Sequence, residues 1–436
     1  MSATTPGTAR AYQAADAETA RQGAATRSVV AAAVAGNALE FYDFVTYAFF
    51  AVYIGKAYFP ASTAYASLLL SVAVFGIGFL ARPLGGVVFG VMGDRIGRRA
   101  SLIWTIALMT VGTLGVALTP SYASIGIAAP LIVVIARLVQ GLALGGEIGP
   151  SSAFLLEAAP AGKRGLYASW TLGSQGAGIL VAGLLGLGFS HALSHQEMLD
   201  WGWRVPFLLG LLIVPLALYL RRAMPETLHA PAAPAQAAQG GQRERSSRLV
   251  LIAVGVILGG TVSTYLGNYM TTYAITALKM PPAVAMGATV AVGLATLVFS
   301  VLGGWLSDRY GRRPVMLWPR IAAAVLTVPA FWLLDARPSS LVLVLVSGFL
   351  ATLTAISGAA SLVAIPEAFA RRHRALGMGV AYAVGVSVFG GTTQFIITWL
   401  IHATGNPASP AWYVAGASVL TAIAMLAMPE TRELET

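Results

Sequence analysis

The chain has 436 residues, 57% of them hydrophobic and 10% charged, with 27 Lys and Arg against 17 Asp and Glu for a net charge of +10. Soluble proteins carry ~25% charged residues, and so few charges cannot build a water-facing surface for a chain of this length; lipid must cover most of it. With no cysteine in the sequence, disulfides and thiolate metal sites are excluded.

Residues 1–27 are Ala, Thr and Gln with scattered charge, too polar to pack a core, and read as a disordered tail. The first apolar segment is of full spanning length and lacks a short h-region with a cut site, so no cleaved signal peptide is expected. Crossing ~30 Å of hydrocarbon takes about 20 apolar residues in a helix. Twelve stretches meet that need: 29–53, 67–91, 101–118, 126–154, 167–189, 203–221, 248–275, 284–306, 315–333, 341–363, 375–400 and 409–428. The predicted fold class is all-α and membrane-embedded: a six-helix bundle over 28–224, an Ala/Pro/Gln/Gly-rich flexible linker over 225–247, a second bundle over 248–428 and a tail over 429–436. Of the 27 basic residues, 20 fall in the tails and the even-numbered loops, and only Lys56, Arg204, Lys279 and Arg337 lie on the other side. By the positive-inside rule both termini are expected in the cytoplasm, and this distribution speaks against a nucleic-acid partner.

The two halves repeat. Gly90-Val-Met-Gly-Asp94-Arg95-Ile-Gly97-Arg98-Arg99 recurs as Gly304-Trp-Leu-Ser-Asp308-Arg309-Tyr-Gly311-Arg312-Arg313, 214 residues on. Met224-Pro225-Glu226-Thr227 recurs as Met428-Pro429-Glu430-Thr431 at 204, and Glu157-Ala158 with Arg164 recurs as Glu367-Ala368 with Arg374 at 210. Three matches in the same order at nearly one period define a duplication in parallel orientation, which suits alternating access by two rocking halves better than a channel.

These motifs resemble the major facilitator superfamily over residues 28–428: the doubled Gly-x-x-x-Asp-Arg-x-Gly-Arg-Arg loop resembles its motif A, and Arg137-x-x-Gln140-Gly141 its motif B. Gly36-Asn37-x-x-Glu40-x-x-Asp43-Phe44, Arg82-Pro83-Leu84-Gly85-Gly86, Gly145-Gly146-Glu147 and Trp201-Gly202-Trp203-Arg204-x-Pro206-Phe207 are similar to the metabolite:proton symporter family. Stretches 122–149 and 354–412 most resemble citrate and tricarballylate symporters. The resemblance implies a bacterial inner-membrane symporter acting as a monomer, with protons, an organic anion and lipid as its partners. It also implies that the motif A loops gate the cytoplasmic side, with Gly90, Asp94 and Arg98 favoured over Asp308 as the latch. Arg95, Gly97, Arg99, Arg309, Gly311 and Arg312 complete the two copies. A carboxylate in such a loop can bind a neighbouring helix N-terminus, where free N–H groups attract it.

Charges inside the bilayer cost ~2.5–3.5 kcal/mol each and need a reason. On helix 1, Glu40, Asp43 and Tyr47 fall on one face, with Glu40 ~18 Å along the helix, near the midplane. Buried neighbouring carboxylates resist joint ionisation, so Glu40 and Asp43 are candidate proton carriers, with Glu147 on the proton path. Arg82 and Arg137 lie at comparable depth. With the two acids they form an expected central ionic cluster, whose guanidinium forks suit a substrate carboxylate. Arg320, ~10 Å deep, has the option of snorkelling to the interface and is the sole formal charge placed well inside the C-terminal half. The other substrate-binding candidates are Asn37, Tyr47 and Gln140 in the first half and Tyr265, Asn268, Tyr269 and Gln394 in the second. Gly78, Gly85, Gly86 and Gly90 on helix 2 and Gly173, Gly176 and Gly178 on helix 5 read as close-packing surfaces.

An enzyme is not expected: the chain has no Walker A loop, GxSxG elbow or His-Glu-x-x-His, and no cofactor or metal is implied. Helix 5 lacks the Gly-Pro typical of drug antiporters, and helix 7 lacks the paired glutamines of sugar porters. With the cytoplasm 100 mV negative, each negative charge brought in costs about 2.3 kcal/mol, so uptake of a di- or tricarboxylate such as citrate or tricarballylate calls for co-transported protons. The alternatives are a zwitterion of the proline or betaine type, another organic acid such as shikimate or 2-oxoglutarate, and, more distantly, a nutrient sensor that does not transport.

Overall fold

The computed structural model describes the backbone of residues 30, 34–157, 159–160, 162–212, 214–215, 218–219, 240–369 and 374–431. Within these residues the side chains of 94, 98, 147–154, 156–157, 240–246 and 374–378 are not described, and all that follows concerns the described residues.

Every regular element among them is a helix. In chain order the passes are α1 (34–49, resuming as Ala51–Tyr58), α2 (Ala64–Leu80, resuming as Arg82–Ile96), α3 (Arg98–Leu118), α4 (Ala128–Glu157), α5 (Arg164–Ala192) and α6 (starting at Val205–Leu211). The second half holds α7 (Gly240–Thr276), α8 (Pro282–Tyr310), α9 (Arg312–Ala336), α10 (Ser340–Ala368), α11 (Arg374–Gly385, a π turn Val386–Gly390, then Gly391–Thr404) and α12 (Ser409–Ala427). Ten of these twelve are long and apolar enough to cross a bilayer, and α1 and α6 are helical over much of what is described.

Most helices run a few residues past the apolar stretches that announced them: α9 covers Arg312–Ala336 against an expected 315–333, and α10 reaches Ala368 rather than 363. Hydropathy ends at the first charge, whereas hydrogen bonding continues to the cap. Gly97 and Gly311, with φ of 103° and 99°, form the turns between α2 and α3 and between α8 and α9. Only glycine takes that conformation at no steric cost, so the glycine before each Arg-Arg pair is structural. Pro83 withholds an N–H from the α2 ladder, and the helix is interrupted at Ala81, immediately before Arg82.

The glycines divide by partner. A Cβ on Gly141 would overlap the Gly78 carbonyl, and Cβ atoms on Gly85 and Gly145 would overlap the carbonyls of Leu142 and Arg82, so α2 and α4 pack backbone to backbone within one half. Gly176 and Gly293 do the same between α5 and α8, which run against each other along much of their length and join the halves. Gly178 instead meets Ala38 and Tyr42 of α1. A Cβ on Gly90 would meet nothing, whereas its repeat equivalent Gly304 is pressed against Gly165 and Ser169 of α5. At the motif-loop end, therefore, the C-terminal copy is docked across the halves and Gly90 is not.

The opposite end is sealed. Gly76 of α2 packs on the Gly391 backbone of α11, Tyr65 stacks on His402 with ring centroids 3.7 Å apart, and Thr272 of α7 donates to the Ala48 carbonyl of α1 at 3.3 Å. The Trp201-Gly-Trp-Arg motif lies here too. Trp203 is fully buried, edge-on to Tyr58, and Arg204 stacks on it while donating to the Asp200 carbonyl at 2.7 Å. Beside it Ser194 caps a short helix, and its backbone and hydroxyl bonds hold the exposed Glu197 carboxyl below its usual range. The outward faces carry exposed Leu80, Leu131, Trp318 and Leu341, as a lipid-covered surface requires.

Candidate functional site

Between the halves lies a cavity of about 1140 Å³, open space included. α7 contributes more of its wall than any other helix, from Val256 to Asn268, a run of ~18 Å along the helix. Thr171 and Gln175 of α5 and Phe41 of α1 face it from the first half; Arg320 of α9, Thr354 and Ser361 of α10 and Tyr382 of α11 face it from the second. Among the described residues its polar groups are hydroxyls, amides and one guanidinium, with no carboxylate.

Of the residues expected to bind substrate, Tyr265 and Asn268 reach this wall. Asn268 is fully buried, and both atoms of its amide lack a hydrogen-bond partner. The stripe they begin on α7 continues into the sealed end, where Tyr269 accepts from Thr398 at 2.7 Å. Gln394 is buried with its amide unpartnered, away from the cavity lining. Asn37 ties α1 to α5 through the Thr171 carbonyl at 3.0 Å and Ser174 at 2.7 Å. Gln140 accepts from Arg137 at 2.7 Å and donates to Thr113 at 3.0 Å, clamping α4 to α3.

The expected central ionic cluster does not form as one unit. Arg82 lies over the rings of Phe79 and Phe44 at 4.0 and 4.5 Å, and Arg137 over Phe44, Tyr47 and Phe75 at 4.5, 4.5 and 5.0 Å. Cation–π contact, worth up to ~2 kcal/mol when desolvated, holds both in an aromatic cage, and Tyr265 joins that cage to the cavity, 5.0 Å from Phe79. Glu40 and Asp43 instead face a smaller void between α1, α3 and α6, beside Thr110 and Gly210. Tyr47 is turned from them towards Phe75, its hydroxyl donating to the Ser71 carbonyl at 3.3 Å. Helical periodicity gave the angle between these side chains but not the neighbours waiting on each side.

Arg320 does not snorkel. It is 1% exposed, and its Nη1 donates to the Gly259 carbonyl and to Ser263 Oγ, both at 3.0 Å. Next to it the Thr421 hydroxyl of α12 accepts from the Gly259 N–H and donates to the Gly255 carbonyl, each at 2.7 Å. Thr421 of another helix thus joins two α7 backbone groups that lie four residues apart. Thr421→Val should lower thermal stability in detergent by about 1–3 kcal/mol. Thr327→Val should lose less, because Thr327 bonds only the Ala323 carbonyl of its own helix; equal losses would deny the bridge its role.

At the motif-loop end, Asp308 reaches across the halves. Its two carboxylate oxygens accept the Gly165 and Leu166 N–H groups at the start of α5, both at 2.8 Å. Arg312 pairs with Asp308 at 2.6 Å and presents Nε and Nη2 to Glu367 at 3.2 and 3.3 Å. Thr431 donates to Glu367 at 2.7 Å, and Glu430 accepts the Arg312 and Arg313 N–H groups, both at 2.9 Å, capping α9. All three repeated patches of the C-terminal half therefore converge on one network. Glu367, Glu430 and Thr431 were legible only as signs of duplication, and their recurrence in register with the Asp-Arg loop was the signal that they share a task. Arg309 points outward over Trp305 and Tyr310, each 5.6 Å away, and Arg95 is exposed. The side chains of Asp94, Arg98 and Glu147 lie outside the described residues.

Comparison with known proteins agrees with this architecture. Residues 28–230 match the family described as Sugar (and other) transporter, and residues 252–435 match the Major Facilitator Superfamily. A citrate-proton symporter of Salmonella typhi is 36% identical over 414 residues, covering 92% of this chain and 94% of that protein. A proline/betaine transporter of Escherichia coli (strain K12) is 32% identical, covering 93% and 84%. The xylose transporter of E. coli, in a partially occluded inward-open conformation, superposes with a TM-score of 0.72 at 20% identity, covering 94% and 99%. With the duplication, the twelve passes and the inter-half cavity, these matches show that the chain belongs to the major facilitator superfamily, within its metabolite:proton symporter family.

Proposed function

We propose that this protein is a proton-coupled symporter that takes up a small organic anion, a di- or tricarboxylate such as citrate or tricarballylate, across the bacterial inner membrane. The observation that carries this reading is the inter-half cavity whose wall, among the described residues, holds a guanidinium and no carboxylate. In a medium of low dielectric, uncompensated positive charge favours an anion strongly, and Arg82 and Arg137 behind Tyr265 add to that field. The motif-loop end faces the cytoplasm together with both termini and the connection between the halves, as the basic loops require, and the halves rock about α5 and α8.

The proton is carried on α1. Phe41 lines the cavity, while Glu40 and Asp43 face the void towards α3 and α6. One helix thus meets both the anion and the proton, and a shift of α1 on anion binding changes the surroundings of the acids. The similarity to a citrate-proton symporter supports this coupling. The similarity to a proline/betaine transporter favours a zwitterion as the second reading, although the cavity offers no acid for a cationic end.

Proteoliposomes with an imposed pH gradient separate the two. Citrate, tricarballylate or 2-oxoglutarate should accumulate, and a protonophore should abolish the accumulation. Accumulation of proline or betaine with no response to any carboxylate would replace the anion reading with the zwitterion one.

A further inference from the structure

Three buried arginines of this protein, Arg82, Arg137 and Arg320, each leave Nε and Nη2 without a hydrogen-bond partner. Those two donors lie on the same edge of the guanidinium, the edge that grips a carboxylate side-on with two parallel hydrogen bonds. In Arg82 and Arg137 the planar group is covered by aromatic rings and is absent from the cavity wall. Arg320 is different: its other edge is fixed by the Gly259 carbonyl and Ser263, and the residue lines the cavity.

The wall in front of it is thin. Gly260 also lines the cavity, and a Cβ built there would stand 3.7 Å from Arg320 Nη2, in ordinary van der Waals contact. Glycine is not needed at 260 for backbone conformation, since the residue sits within α7 with ordinary helical geometry. With no side chain at 260, only the α7 backbone stands between the cavity and the buried Nε–Nη2 edge of Arg320. Asn268, two turns along α7 and ~12 Å away, offers a second unpartnered donor and acceptor on the same wall.

Resting on the anion-symport reading, we propose that Arg320, which lines the cavity beside Gly260, is the carboxylate-binding residue of the site once α7 and α9 part enough to admit the anion, and that Asn268 takes the far polar end of the substrate. A buried guanidinium with an empty fork costs several kcal/mol, which a substrate carboxylate offsets by supplying the missing acceptors. The fork is planar, and a carboxylate matches it better than a spherical anion does.

The test is binding of citrate and 2-oxoglutarate to the purified full-length protein in lipid nanodiscs, by calorimetry at neutral pH, with inorganic phosphate and chloride as comparison anions. Arg320→Gln should weaken both carboxylates by roughly 10- to 100-fold, the loss expected for charge-assisted hydrogen bonds. Arg320→Lys should restore only part of that, because a point charge cannot reproduce the fork. Gly260→Val keeps the guanidinium and adds methyl groups in front of it, and about a tenfold loss is expected. This variant keeps the proposal falsifiable if Arg320→Gln fails to fold. Wild-type affinity in all three variants, or phosphate binding in preference to citrate, would overturn the assignment to Arg320 alone. A wild-type protein that binds neither carboxylate but binds proline or betaine would overturn the anion reading itself.

Discussion

Asp43→Asn is expected to abolish pH-driven accumulation of substrate while leaving exchange of substrate down its own gradient. Asp43 is 6% exposed in a void lined by Glu40, Met109, Thr110 and Gly210, and one of its carboxylate oxygens lacks a partner. A proton delivered to that oxygen neutralises a charge that the bilayer interior disfavours, whereas Asn can neither take up nor release one. Removing one coupled proton at 100 mV and a gradient of one pH unit removes about 3.7 kcal/mol of driving force, roughly 500-fold in the accumulation ratio. Uptake and counterflow measured in the same proteoliposomes would separate coupling from translocation. If Asp43→Asn and Glu40→Gln both accumulate substrate at wild-type ratios, the α1 acids do not carry the coupled proton.

Asp308→Asn is expected to open the motif-loop end. The carboxylate accepts two backbone N–H groups of α5 at 2.8 Å and pairs with Arg312 at 2.6 Å, so a single side chain fastens the C-terminal half to the N-terminal half. Asparagine keeps one acceptor oxygen but loses the charge that the N-terminus of α5 attracts. With the weakened pairing to Arg312 the change amounts to about 3 kcal/mol, roughly a 150-fold shift towards the state open at that end. Ser169 is buried between α5 and Gly304 of α8. Since the chain has no cysteine, a single Ser169→Cys reports this interface without background. Its labelling by a soluble thiol reagent should accelerate sharply in the Asp308→Asn background. An unchanged rate, with transport lost, would assign Asp308 to folding rather than to the gate. The sequence favoured Asp94 for this latch; its side chain lies outside the described residues, and the contact that is described belongs to Asp308.

The candidate site was readable only in part. Tyr265 and Asn268 stood out because the spacing i, i+3 places polar groups on one stripe of α7, and that stripe does reach the cavity. Arg82 and Arg137 stood out by their depth, yet the rings of Phe44, Phe75 and Phe79 decide what surrounds them. Those phenylalanines come from α1 and α2, and nothing in the local pattern of Arg137 points to them. Arg320 sat at a depth compatible with snorkelling, and its inward orientation depends on the α7 carbonyl at Gly259 and on Ser263, about 60 residues earlier.

By itself the sequence determined that the chain lies in a membrane, how many times it crosses, that it is duplicated, and which loops carry the repeated Asp-Arg motif. Transfer of a segment into hydrocarbon depends on that segment's own residues, summed locally, and a repeat is a property of order along the chain. Only the tertiary structure decided that the acids of α1 and the arginines of α2 and α4 part company, that Asp308 spans the halves, and that Arg320 faces the cavity. Those outcomes depend on which helix faces are brought together. Helix faces are brought together by backbone contacts such as Gly78 with Gly141 and Gly176 with Leu297, between residues far apart in the chain, where small side chains let helices approach within reach of each other's polar groups.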